Sequence, residues 1–297
     1  MENSVNVKYA SFLAKVLSRH LSAEAYDFFL AASGEIHSGV SNLRLTQLIT
    51  LAGRHARHYP TLSLNDAEHR SLVEMGSNCN PAKWNVLEAL RIALLLTSPD
   101  IDSDAFPNIF EYCFRFPDHD ESCALYRSLP LLPRGERFIR RACEGCRSNM
   151  RTIFEAVGCY SPYPVKYFDD ISWRQFVIKA VFIDVPLWQI NGIGERLSPE
   201  LAHMALDLVD ERRSAGRDIP PQLWFCLGPY LDDRGMHALQ NELMENNDRR
   251  QRGALLALGR AGALTEDRCQ RAVLTAHAPF IQQARADGFT QRMLEFL

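Results

Sequence analysis

The sequence has no apolar run long enough to cross a bilayer. Apolar runs such as Ile92–Leu96 and Val181–Ile183 fall far short of the roughly 18–20 residues a spanning helix needs. Met1–Lys15 does not combine a basic start, an apolar stretch and a small-residue cleavage site, so no secretory signal is expected. Charge of one sign is missing too. The 33 Lys+Arg and 36 Asp+Glu leave a formal net charge of −3, and no global basic field draws the chain to nucleic acid or anionic lipid. Lysine is scarce, 5 against 28 arginines, and no function follows from that ratio. Alternating strand patterns with hairpin dipeptides are nearly absent, which argues against a β-rich fold. There is no GxxxxGK[ST], no GxSxG and no GxGxxG after a strand. Phosphate-cradle, nucleophile-elbow and dinucleotide readings therefore fall away.

What is present is a helical period. The chain has 297 residues, 46% apolar and 23% charged, enough for a sizeable core and too apolar for wholesale disorder. Phe106, Ile109, Phe110, Cys113 and Phe114 recur at helical spacing, as do Leu201, Met204, Ala205, Leu208 and Val209, and Met236, Leu239, Leu243 and Met244. Asn80-Pro81 and Ser198-Pro199 read as a cap followed by proline at the first helical position, and Asp248 stands before Arg249–Ala261. Pro99, Gly158 and Gly216 read as stops. These signals predict an all-α array of about 13 antiparallel helices, roughly two-thirds of the chain. The last quarter reads as up-down helices near 232–246, 249–262, 266–277 and 280–296, resembling a HEAT-like α-solenoid or a plain bundle. One domain spanning 1–297 is expected. If it subdivides, it does so at 158–166, where Gly158, Pro162 and Pro164 surround two tyrosines in a structured loop. Predicted core residues are Phe28, Phe110, Phe154, Val177, Leu208 and Leu239.

Candidate chemistry is thin. The eight cysteines are scattered among apolar helical positions, which suggests reduced thiols and a cytoplasmic location. Cys143-Glu144-Gly145-Cys146 lies inside an expected long helix, Gly135–Val157, and no second CxxC exists to complete a zinc site. His55 and His58 lack a third ligand. Asp118-His119-Asp120-Glu121 reads as an acidic helix start. Asp169-Asp170 and Asp232-Asp233 lack the third acid of a DDxxD and read as cap regions. No metal and no cofactor is therefore assigned. Arg140, Arg147 and Arg151 share a helix face that either grips a phosphate or carboxylate or is simply solvated. Trp173, Trp188 and Trp224, three of the four tryptophans, fall within 173–230. Lys179 lies there in a very apolar helix, either salt-bridged near Asp184 or Glu211 or facing a tryptophan-walled pocket.

An ordered set of motifs then carries a resemblance. It begins with Tyr126–Pro133, then Glu144-Gly145-Cys146-Arg147-Ser148-Asn149-Met150, Phe154-Glu155-Ala156 and Ser161-Pro162-Tyr163-Pro164 with Tyr167-Phe168. It continues through Trp173-Arg174-Gln175, Lys179-Ala180, Pro186-Leu187, Glu211-Arg212, Ala215-Gly216-Arg217, Leu223-Trp224 and Gly228-Pro229-Tyr230. In this order and spacing the chain resembles the EboA family, most clearly over 84–262. The family pattern usually has Asn at Arg174, and often Trp at Arg213 and Arg at Phe225. The resemblance implies a bacterial, cytoplasmic accessory protein of metabolite traffic, encoded with secondary-metabolite genes and without an assigned catalytic residue. Its partners would be a small metabolite or the biosynthetic and export proteins of the same cluster. The expected ligand contacts are Trp173, Gln175, Lys179, Glu211, Arg212, Arg217, Trp224 and Arg147. They would supply stacking from the indoles and charge pairing from the cations. Two rivals stay open. One is a helical enzyme acting on a cyclic or isoprenoid metabolite, with a buried Glu211 as acid/base. The other is a helical protein–protein scaffold.

Overall fold

The structure is a computed structural model that describes residues 5–56, 60–75 and 79–297. His58, one of the paired histidines, lies outside the described residues. Helices account for 71% of them, with no strand. The nearest thing to one is an isolated antiparallel bridge between Thr61 and Asn85. No helix among the described residues is long and apolar enough to cross a membrane. They divide into two compact units, one ending at Phe168 and one running from Asp169 to Leu297.

The first unit holds α1 (Val5–His20), α2 (Ala23–His37), α3 (Asn42–Ala56), α4 (Asp66–Glu74), α5 (Val86–Leu96), α6 (Phe106–Cys113) and α7 (His119–Ser128). After these come α8 (Ile139–Arg147), α9 (Arg151–Gly158) and α10 (Tyr163–Tyr167). Its centre is α5. Every residue of this helix is buried, and α1, α3 and α7 pack against it. A helix that is apolar on all sides belongs inside a bundle. Its two charged residues are tied by a repeated device. Asn65, Asn85 and Asp118 each cap a helix whose third residue, Glu68, Glu88 or Glu121, bonds back to the cap's N–H. All three glutamates are buried, and each also meets an arginine from another helix: Glu68 with Arg19, Glu88 with Arg127, Glu121 with Arg91. One carboxylate thus closes a helix start and cross-links two helices. The last two pairs join α5 and α7 in both directions.

The second unit holds α11 (Asp170–Phe182), α12 (Pro199–Ser214), α13 (Asp233–Met244), α14 (Asp248–Arg260), α15 (Arg271–Ala276) and α16 (Ala278–Ala286). Between α12 and α13 runs a 3-10 helix, Pro221–Leu227, with five consecutive buried residues from Leu223 to Leu227. It packs on α14 and α12. The turn 187–193 is held by one side chain from a closing 3-10 helix, Gln291–Phe296. The Gln291 amide donates to the carbonyls of Leu187, Trp188 and Ile190, while its oxygen accepts the Ile193 N–H at 3.1 Å.

Many local signals hold. Ser198, Asp169, Asp232 and Asp118 cap their helices, and Gly216 takes the left-handed turn that ends α12. Others need correction. There are sixteen α-helices among the described residues, because tertiary contacts break segments that read as continuous. The expected helix 135–157 is a 3-10 turn, then α8, a break at Ser148–Met150, then α9. Met150 is exposed at this break. Asn80-Pro81 opens only a 3-10 turn, and Asn247, not Asp248, caps α14. The stretches 266–277 and 280–296 shorten to α15 and to α16 plus its terminal 3-10 helix. Phe110, Phe154, Val177 and Leu239 are fully buried. Phe28 is only half-buried, stacked on His55 at 4.1 Å, because Ala25, Phe29, Ala32 and Ile36 form the inward face. On α12 the inward face carries Leu206 and leaves Leu208 at its edge.

Candidate functional site

The predicted tryptophan recess is not formed by exposed rings. Trp173 is 1% exposed. Its N–H donates to the Arg196 carbonyl at 3.0 Å, and the Arg196 guanidinium lies 5.0 Å from the ring while pairing with Asp170. Trp224 is 0% exposed within the buried 3-10 helix, and its indole N–H has no partner among the described residues. Indoles bury large apolar areas, and here both rings are spent on the unit's own interior. Gln175 is exposed on α11 and Lys179 is half-buried there. Arg217 forms an exposed ion pair with Glu211 at 3.2 Å. The burial that an acid/base role for Glu211 requires is therefore absent. Arg147 ends α8 in the first unit, among arginines with structural duties. Arg141 pairs with Glu111 and Glu144, Arg151 with Glu155, and Arg137 donates to the carbonyls of Ile101, Ser103 and Pro133.

Arg212 is placed differently. It lines a cleft of about 540 Å³ in the second unit. The end of α11 makes one wall: Asp184 takes a left-handed conformation (φ 57°) and Val185 N–H returns to the Ala180 carbonyl at 2.8 Å. Aspartate tolerates that region better than most residues, and the reversal turns the chain into Pro186 and Leu187. The facing wall is Asp218–Gln222, stiffened by Pro220 and Pro221, and Gln222 Oε1 accepts the Leu187 N–H at 2.6 Å. Arg212 Nε donates to the Asp218 carbonyl at 2.6 Å, which fixes the guanidinium plane. The third side is the start of α14. There Asn247 Oδ1 accepts from the N–H groups of Arg249 and Arg250, and Arg250 is held at 2.7 and 2.9 Å by the fully buried Glu242. Arg249 donates to the Leu297 carbonyl.

Several side-chain donors line this space. The two terminal amines of Arg212 have no partner among the described residues, and the amide nitrogens of Gln222 and Asn247 join them on the lining. A fixed guanidinium with both terminal amines available matches a carboxylate or phosphate. Val185, Leu187 and Ile219 supply an apolar floor, and Asp184 and Asp218 add negative charge at the rim. No nucleophile with an activating base is assembled here. Elsewhere, Cys123 Sγ lies 3.8 Å from His119 Nε2, but burial first and nearby acids push that thiol up to about 11, the opposite of activation. Among the described residues no group of three His, Cys, Asp or Glu is placed to hold a metal.

A family model described as metabolite traffic protein EboA matches residues 9–228. The chain belongs to the EboA family. No curated protein and no solved structure matches it. The EboA match includes Arg212 and the Asp218–Gln222 wall, whereas Asn247, Arg249 and Arg250 lie beyond it. The three positions expected to depart from the family pattern all have local partners in this chain. Arg174 meets Glu200 at 3.7 Å, Arg213 meets Glu242 at 3.1 Å, and Phe225 lies under the Arg260 guanidinium at 4.6 Å. Sequence reasoning missed Asp184, Gln222 and Arg249. The available signal was Pro220-Pro221, two rigid residues just after a helix stop.

Proposed function

We propose that the chain is a binding protein of metabolite traffic that holds a small anionic metabolite in the second-unit cleft without transforming it. It would act in the cytoplasm beside the biosynthetic or export proteins of a secondary-metabolite cluster. The observation that carries this is the Arg212 guanidinium, held by one bond to the Asp218 carbonyl with both terminal amines on an apolar-floored cleft. The family description supports the metabolite-traffic setting. The test is native mass spectrometry of protein purified from its own cells. A retained small anion is expected on the wild-type chain and on Arg217→Ala, whose ion pair with Glu211 does not line the cleft. It should be lost from Arg212→Ala. Bare protein in every sample, or equal retention by Arg212→Ala, refutes the reading.

A further inference from the structure

The first unit carries a concavity of its own. It lies between the outer face of α3 and the turn from α6 into α7, and encloses about 420 Å³. Leu43 and Phe116 stand beside it, 56% and 96% exposed. Two large apolar side chains left in water at one opening mark a surface that gains by being covered. The volume falls in the range of small-molecule pockets.

The charged groups of this groove are mostly committed. Arg44 is bound by Glu35 at 2.6 and 3.0 Å. Both oxygens of Glu121 are taken, one by Arg91 and one by the Asp118 N–H. Arg115 is the exception. Its guanidinium lies 4.6 Å from the centre of the Tyr112 ring, which orients it, and it has no acidic partner among the described residues. The charge on offer at the opening is therefore positive, set on an aromatic platform. The buried Arg91 is balanced by Glu121 and Asp118, so the uncompensated charge at the groove is that of Arg115.

We infer that this groove binds a small aromatic anion, its ring between Leu43 and Phe116 and its carboxylate or sulfonate on Arg115. This site is independent of the proposed second-unit cleft. The probe is 1-anilinonaphthalene-8-sulfonate, titrated onto the folded chain and read by fluorescence, with the uncharged N-phenyl-1-naphthylamine as its counterpart. One sulfonate should bind per native chain. Arg115→Ala and Phe116→Ala should each weaken it by about tenfold or more, as loss of a charge-assisted contact or of the ring's main wall requires. Arg212→Ala should leave it unchanged, so that failure of one site is distinguishable from failure of the other. Equal affinity for the uncharged probe, or unchanged binding in both groove variants, overturns the inference. So does light scattering that shows a dimer which excludes the probe and which Phe116→Ala dissociates, since the occupant would then be a second copy.

Discussion

Gly253 offers a sign test of how tightly the second unit is packed. In the middle of a helix, alanine is normally better than glycine by about 1 kcal/mol. At Gly253 of α14, however, an added Cβ would lie 2.6 Å from the Pro221 carbonyl oxygen and 3.0 Å from the Pro221 Cβ. Carbon and oxygen approach comfortably only to about 3.3 Å, so helix and wall must part by about 0.7 Å. The obstacle is backbone flanked by proline, which has no rotamer to change. Overpacking costs about 1–3 kcal/mol; a rigid backbone obstacle belongs at the upper end, and after the propensity gain a net loss of about 2 kcal/mol remains. Gly34 in α2 is the control, with nothing within 4 Å of its Cβ position, so Gly34→Ala should stabilise by about 0.5–1 kcal/mol. Urea titration with amide exchange read peptide by peptide keeps the two units apart. A Gly253→Ala protein as stable as wild type, or two shifts of the same sign, would refute the packing argument. Because Pro221 lines the cleft, Gly253→Ala should also weaken metabolite retention.

Two further outcomes are expected. Glu242→Gln leaves Arg213 and Arg250 facing a neutral amide in a dry place; both arginines are partly exposed and screened, so the expected loss is about 2 kcal/mol in urea unfolding, and a change below about 0.5 kcal/mol would contradict it. Burial pushes the Cys79, Cys113, Cys159 and Cys226 thiols up to about 12, so iodoacetamide at neutral pH should leave them unlabelled in the native chain and label them once urea unfolds it. Rapid native labelling of these four would show that the core opens readily.

What the sequence revealed was local. A cap needs only a short polar side chain and the next three residues, so Ser198, Asp169 and Asp232 were legible. The break at Ser148–Met150 was not. At Gly145, just before the break, α8 presses so close to Tyr126 and Val157 that a Cβ there would stand 2.7 Å from each, and no periodicity records that approach. Spacing likewise ranked the tryptophans as apolar without giving their depth; whether an indole walls a groove or fills a core depends on chain that arrives from elsewhere, such as the Arg196 carbonyl that takes the Trp173 N–H. Arg212 was named by resemblance. Its neighbours on the cleft were not, because only folding brings Asp184 and Asn247 to the same lining.

The Gln291 clasp separates how this chain is classified from how it holds together. The family match ends at residue 228, yet the amide that answers the carbonyls of Leu187, Trp188 and Ile190 comes 63 positions later (291 against 228). A fragment trimmed to the matched stretch would strand those carbonyls and lose the cleft's third side. Homology therefore draws its border through the middle of a mechanical unit, and anyone shortening the gene for expression should cut elsewhere.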